Sequence, residues 1–210
     1  MAVLLKFPRE ILLEGEYIIL KQDVSDEEFW EMSNEDSNYE LIDGVLIIHS
    51  PASEEHEDLF RWLSAILSYY IDKNEIGKIY GSRFVMRLGP KWNPEPDLMI
   101  ILQDNYDRIT SNYLNGPADI AIEIISKSTR DIDLGKKLPK YLEAGVREVW
   151  LLDPERKNVS IISSEGTKEW NDPTSTDLLQ SEILPGLTIQ INWIWNRSSN
   201  TVARVVESQT

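Results

Sequence analysis

The chain has 210 residues, 41% of them apolar, with seven Trp and eight Tyr, which fits one domain with a filled core and excludes a disordered composition. It has no Cys and two His, so disulfides, thiolate zinc sites, iron–sulfur clusters and cysteine nucleophiles are excluded, and any chemistry runs on oxygen and amine groups. The net charge of −15 argues, on its face, against a polyanionic partner.

The opening MAVLLKFPRE lacks the long apolar core of a signal peptide, and no stretch approaches the roughly 20 apolar residues of a membrane span. The expectation is a soluble cytoplasmic protein with no membrane partner. Ser25 followed three residues later by Glu28 predicts a capping box and a short helix to about Met32. YELIDGVLIIHS predicts two strands about the turn Asp43-Gly44, a pair that accepts positive φ. Ser53 caps a helix over about 54–72, whose Leu59, Phe60, Leu63, Ile66, Leu67, Tyr70 and Ile71 recur at helical spacing. A strand in KIYGSRFVMRL, the turn-rich GPKWNPEP and a strand DLMIIL starting at Asp97 follow. Residues 103–118 read as polar loop with at most one helical turn.

ADIAIEIIS is apolar on both faces except for Glu123, as expected of a central strand covered on both sides. A helix over about 133–144 stops at Gly145, and VREVWLLDP is another buried strand. The order helix, three strands, helix, strand gives a single mixed α/β sheet with helices packed on it. In this reading one domain covers 1–195: a helix and hairpin at 25–50, a core at 54–153 and β additions at 155–195, with 196–210 a flexible tail.

Glu123 carries the chemical argument, because a carboxylate inside a buried strand costs several kcal/mol unless it is paired, protonated or bound to a metal. If DLMIIL and ADIAIEIIS pair as an antiparallel hairpin, Asp97 lands beside Glu123. Two converging acids repel each other, and a hard cation such as Mg²⁺ or Mn²⁺ removes that penalty with few protein oxygens. Lys137, in the first turns of the next helix, would reach the same place and offset phosphate charge. The plainer alternative is a buried salt bridge between Glu123 and Lys137 with no metal. Two acids, a cation and a lysine suit phosphodiester hydrolysis better than glycoside chemistry.

At this point the residues resemble a family. SDEEFWEM, YELIDG, SPASEEH, PEPDLMI, ADIAIEIISKSTRDIDLGKKLPKYLEAGVREVWLLDP and ILPGLTI, in this order between Ser25 and Ile191, resemble the PD-(D/E)XK nuclease superfamily, and within it the Uma-type endonucleases of bacteria. The resemblance implies a restriction-endonuclease-like αβββαβ core and metal-dependent cleavage of DNA to 5′-phosphate and 3′-hydroxyl ends. It implies Asp97 and Glu123 as metal ligands, with the main-chain carbonyl of Ile124 as a third. The superfamily's Glu-x-Lys is broken by Ile125, so the lysine falls to Lys137 within Asp133-x-x-x-Lys137-x-x-x-Tyr141, or to Lys127 if the strand continues. Glu40 resembles the family's early acid, and His56, at a helix start, would face the same pocket or simply cap its helix. The alternative is a non-catalytic nucleic-acid- or protein-binding module that keeps the fold.

The charge is uneven. Residues 10–58 hold 16 acidic side chains and one basic, while 78–91 holds four basic and no acid and 126–147 six basic and three acidic. Arg83, Arg87, Lys91, Lys127 and Arg130 are therefore the expected contacts to a nucleic-acid backbone. A homodimer, which would cut two strands, would use the Trp-rich 193–195 as apolar surface.

Overall fold

The computed structural model describes residues 18–33, 39–81 and 83–208. Residues 10–17 and 34–38 of the acidic segment therefore lie outside the described residues. The strands are β1 (Ile18–Lys21), β2 (Tyr39–Ile42), β3 (Val45–His49), β4 (Gly77–Gly81), β5 (Val85–Arg87), β6 (Trp92–Asn93), β7 (Leu98–Leu102), β8 (Tyr113–Asn115), β9 (Ile120–Ile124), β10 (Glu148–Asp153), β11 (Asn158–Ser163) and β12 (Gly166–Trp170). The helices are α1 (Asp26–Met32), α2 (Glu54–Asn74), α3 (Arg130–Ile132), α4 (Leu138–Ala144), α5 (Ile191–Trp195) and α6 (Val202–Glu207).

The main sheet runs β12-β11-β10-β9-β7-β4. Only β9 and β10 are parallel in it; the crossover between them carries α3 and α4, since parallel neighbours cannot be joined by a hairpin. Strand parity divides the core. Leu98, Ile100, Ile120, Ile122 and Ile124 face α2 and the C-terminal segments. Met99, Ile101, Ala121, Val149 and Leu151 face Tyr141 and Val146 on the other side. Glu123 shares the parity of Ala121, so its carboxylate falls on the α4 side.

A second sheet, β1-β3-β2-β6, packs with α1 around Val24, Phe29, Leu41 and Leu46. The capping box forms as expected: the Glu28 N–H donates to Ser25 Oγ at 3.1 Å and the Ser25 N–H to Glu28 Oε2 at 2.9 Å. Asp43 and Gly44 have φ of 55° and 77°, the two positive values of a type I′ turn. Gly145, at φ 96°, stops α4.

Several expectations need correction. KIYGSRFVMRL is two strands, because the chain turns at Arg83 (φ 78°) and β5 leaves the main sheet to pair with β8, inside the expected 103–118 loop. The helix after β9 contains a π-helical turn, Asp133–Lys137, closed by the Leu138 N–H on the Asp133 carbonyl. Pro139 supplies the reason: it has no N–H to continue an α-helical ladder there, and one wider turn absorbs the mismatch.

The β additions end at β12. INWIW forms helix α5, with Ile191 and Ile194 buried at a spacing of three, and Trp193 and Trp195 pack against the main core. Of the apolar surface expected at 193–195, Ile194 is buried and both Trp rings are partly covered by the core, with Trp195 keeping one side open. Nor is 196–208 a loose tail. Val205 of α6 is buried, the Trp62 indole N–H donates to the Asn200 carbonyl at 2.7 Å, and Arg197 bonds Asp58 at 2.6 Å and Glu55 at 3.0 Å. Among the described residues no helix is long and apolar enough to cross a membrane.

Candidate active site

Strands β7 and β9 pair antiparallel with Leu98 opposite Ile122, and one further step of register sets Asp97 beside Glu123. The Ile124 N–H donates to Asp97 Oδ2 at 2.7 Å, which locks that corner. His56 Nε2 lies 3.3 Å from the other oxygen, Oδ1. Ser53 holds the histidine's turn in place, its hydroxyl accepting from the His56 N–H.

The π turn brings Lys137 over Glu123. Its ammonium lies 2.9 Å from Glu40, 3.2 Å from Glu123 and 3.3 Å from Asp133, and all four residues are only 1–3% exposed. Tyr141, one turn further, donates its hydroxyl to Glu123 Oε1 at 2.6 Å. Glu40 is held from two further sides, by His49 Nε2 at 2.9 Å from Oε1 and by the Glu95 N–H at 3.3 Å from Oε2.

The electrostatics follow from one buried cation among several acids. Burial works to raise Glu40, but Lys137 and His49 outweigh it and hold the carboxyl at about 2. Burial pushes Glu123 well above the carboxylate range, against Lys137 and together with the charges of Asp133, Asp97 and Glu40. Burial disfavours the Lys137 ammonium, yet Glu123, Glu40 and Asp133 keep it protonated. Glu95, partly buried and facing the charge of Glu40, is pushed up to about 8 by burial and that charge, and its enclosed Oε2 has no hydrogen-bond partner.

Of these groups His49, His56, Glu95, Asp97, Glu123, Asp133 and Lys137 line a recess of about 300 Å³, with Arg83, Ser126 and Thr129 among its other walls. Three other buried acids show how a structural carboxylate is handled in this molecule. Glu148 accepts from Trp150, Ser181 and the Glu182 N–H, Asp119 from the Leu102 N–H, Asn105 and Arg147, and Asp153 from Arg130. This site differs: Glu40, Glu123 and Asp133 share one ammonium, and Asp97 adds a further carboxylate on the strand beside Glu123. Hard oxygen donors in excess of positive charge fit a divalent cation. Among the described residues no three acidic or imidazole side chains converge at metal distance, so the protein would supply a carboxylate pair and leave most positions to water, as Mg²⁺ tolerates.

Asp97, Glu123, Lys137, Glu40 and His56 are therefore brought together, and Ile124 lines the same recess. The basic residues scatter. Arg83 lines the recess and Lys127 lines a neighbouring cavity. Arg87 is committed to Asp26 at 2.8 Å beside the packed rings of Trp30 and Tyr113, and Arg130 to Asp153 and Glu155. Both arginines are engaged in ion pairs within the chain. The Lys91 carbonyl accepts from the Gly44 N–H, joining it to the hairpin turn away from the recess.

Two site residues escaped sequence reasoning. The hairpin register pairs Glu40 with Ile47, which puts His49 on the same face one diagonal step away, a signal that strand parity could have supplied. Glu95 lies two residues before Asp97, again on shared parity.

A mixed sheet whose adjacent strands present two acids to a lysine from the crossover helix defines the class: a restriction-endonuclease-like α/β fold. The chain belongs to the Uma2 family, described as "Putative restriction endonuclease", whose family model matches residues 26–192. A crystal structure from Anabaena variabilis ATCC 29413, described as "a putative nuclease belonging to DUF820", shares the fold at a TM-score of 0.70 with 18% identity. The match covers 81% of this chain and 96% of that one. No curated protein matches the chain.

Proposed function

We propose that the protein is a metal-dependent DNA endonuclease in which Asp97 and Glu123, with the Ile124 carbonyl, hold Mg²⁺ or Mn²⁺. The observation that carries this reading is the meeting of Asp97, Glu123 and Lys137 in one recess whose acids outnumber its single buried ammonium. When bound, the cation would supply positive charge at a phosphate oxygen and acidify a water.

The chain's own residues set the stage for it. Tyr141 and Lys137 both bond Oε1 of Glu123 and so fix the orientation of its carboxylate. The Ile124 N–H and His56 fix both oxygens of Asp97. Glu40, held ionised by His49 and Lys137, keeps the ammonium protonated and in place. That ammonium would then face the negative charge that develops on a phosphate during displacement. Lys127 is exposed and lines the adjoining cavity rather than the recess, which favours Lys137 as the active-site lysine. The same position of Lys137 answers the missing lysine at 125, the feature that favours a non-catalytic module.

Asp97→Ala tests the reading. With Mg²⁺ or Mn²⁺ the unaltered protein should nick supercoiled plasmid and Asp97→Ala should not, and calorimetric titration should show weaker cation binding by the variant. Equal nicking by both proteins would refute the assignment of Asp97, and an unaltered protein that neither binds cation nor nicks would favour the module.

A further inference from the structure

Beside the recess lies a larger cavity of about 600 Å³. The two share Ser53, His56 and Ser126 as walls, so they form one continuous groove around the start of α2 and the end of β9. The larger part is closed by the turn after β10, with Pro154 and Lys157, and by Trp195 and Asn196 of the C-terminal segment. Its volume lies in the range of pockets that enclose small ligands, a size that takes one or two nucleotides of a chain but not the width of a duplex.

The charges in this cavity are unequal in what they have left to give. Arg197 is bound to Glu55 and Asp58, and Glu155 to Arg130. Lys127 and Lys157 both line it and are exposed. Intact duplex presents its phosphates on a wide convex cylinder and is held by broad basic faces that make many phosphate contacts. Here Arg87 and Arg130 are internally paired, the chain carries −15, and Glu123 and Asp133 at the floor of the recess are buried while Asp97 is only partly exposed. Only a backbone that can bend into the groove would bring a phosphate to them.

Resting on the proposed nuclease reading, we infer that the groove takes single-stranded nucleic acid, with the nucleotides flanking the scissile phosphate seated in the larger cavity, their phosphates on Lys127 and Lys157 and a base against Trp195. An aromatic wall beside a pair of cations is the sequence-tolerant arrangement by which single strands are held. It makes Lys127 a positioning residue rather than the active-site lysine.

The test compares fluorescein-labelled 12-nucleotide single-stranded DNA with a blunt 12-base-pair duplex of the same sequence, by anisotropy in Ca²⁺, and cleavage of both in Mg²⁺. The unaltered protein should bind the single strand about tenfold or more tighter than the duplex and cut it preferentially. Lys127→Ala/Lys157→Ala should weaken single-strand binding and lower the slope of log K against log salt by about 1.4, the value for two single-strand phosphate contacts. Both lysines are exposed, so the variant should keep the unaltered melting temperature. Equal affinity for duplex and single strand, or an unchanged salt slope in the double variant, would overturn the inference even if cleavage persists. Lysine-dependent single-strand binding without any cleavage would uphold the groove and refute the nuclease reading instead.

Discussion

Replacing Lys137 by Met keeps most of the side-chain stem and removes the one ammonium that three buried carboxylates share. At 3.2 Å and an effective dielectric of about 20, one such contact is worth about 5 kcal/mol of Coulomb energy before desolvation. Most of that is spent on burying the charges, so the quantity to expect is the cost of orphaning a buried partner, about 3–5 kcal/mol. The acid that leans most on the ammonium is Glu40, 2.9 Å from it and held at about 2, against its burial, chiefly by Lys137, so the substitution leaves a buried carboxyl with His49 as its remaining charged neighbour. Lys137→Met/Glu40→Gln should therefore recover part of the loss, since an amide at position 40 can still accept from the Glu95 N–H and bond His49. The assay is urea unfolding at pH 7, followed by tryptophan fluorescence, on the two single variants, the double variant and the unaltered protein. A Lys137→Met cost below about 1 kcal/mol, or a double variant no more stable than Lys137→Met, would refute the view that Lys137 neutralises a buried acidic cluster.

Tyr141→Phe removes the hydroxyl that donates to Glu123, a hydrogen bond to a buried acid, and should cost about 1.5–3 kcal/mol in the same unfolding measurement and lower Mg²⁺-dependent nicking. For Asp153, burial works to raise the pKa, but the bonds from Arg130 and the Arg156 N–H prevail and lower it. A lowered folded pKa gives stability that is present above the unfolded value of about 3.9 and is lost as pH falls through the folded value. The stability gap between the unaltered protein and Arg130→Met should accordingly shrink below about pH 4, and a gap constant from pH 6 to 2.5 would contradict the pairing. Trp62→Phe removes the indole bond to the Asn200 carbonyl, and amide exchange over 197–208 should speed up while that of β9 is unchanged.

Local signals carried a large part of the fold. Ser25 with Glu28, Asp43-Gly44, the spacing along α2 and Gly145 each state a geometry that a few neighbouring residues enforce by themselves. Strand parity reached further: an antiparallel β7–β9 pair puts Asp97 beside Glu123 whatever else surrounds them. Where a local pattern was ambiguous, burial decided. INWIW has the composition of a strand, but Ile191 and Ile194 meet the core only as a helix.

The sequence by itself determined a mixed α/β sheet, a buried acid in its central strand and a second acid on the neighbouring strand. Tertiary structure alone decided that the nearest acid to Lys137 is Glu40, from a separate sheet and 97 positions away, and that a π turn, not a regular helix, points the ammonium there. It also decided the fate of the charge that dominates the composition. Asp26, Asp43, Glu55 and Asp58 are answered by Arg87, Lys136 and Arg197, and Glu40 by Lys137. Composition counts charges, but the dielectric and the partner each one meets are set by which distant elements pack against it. The same −15 can therefore coexist with a buried site in which one ammonium is shared by three acids.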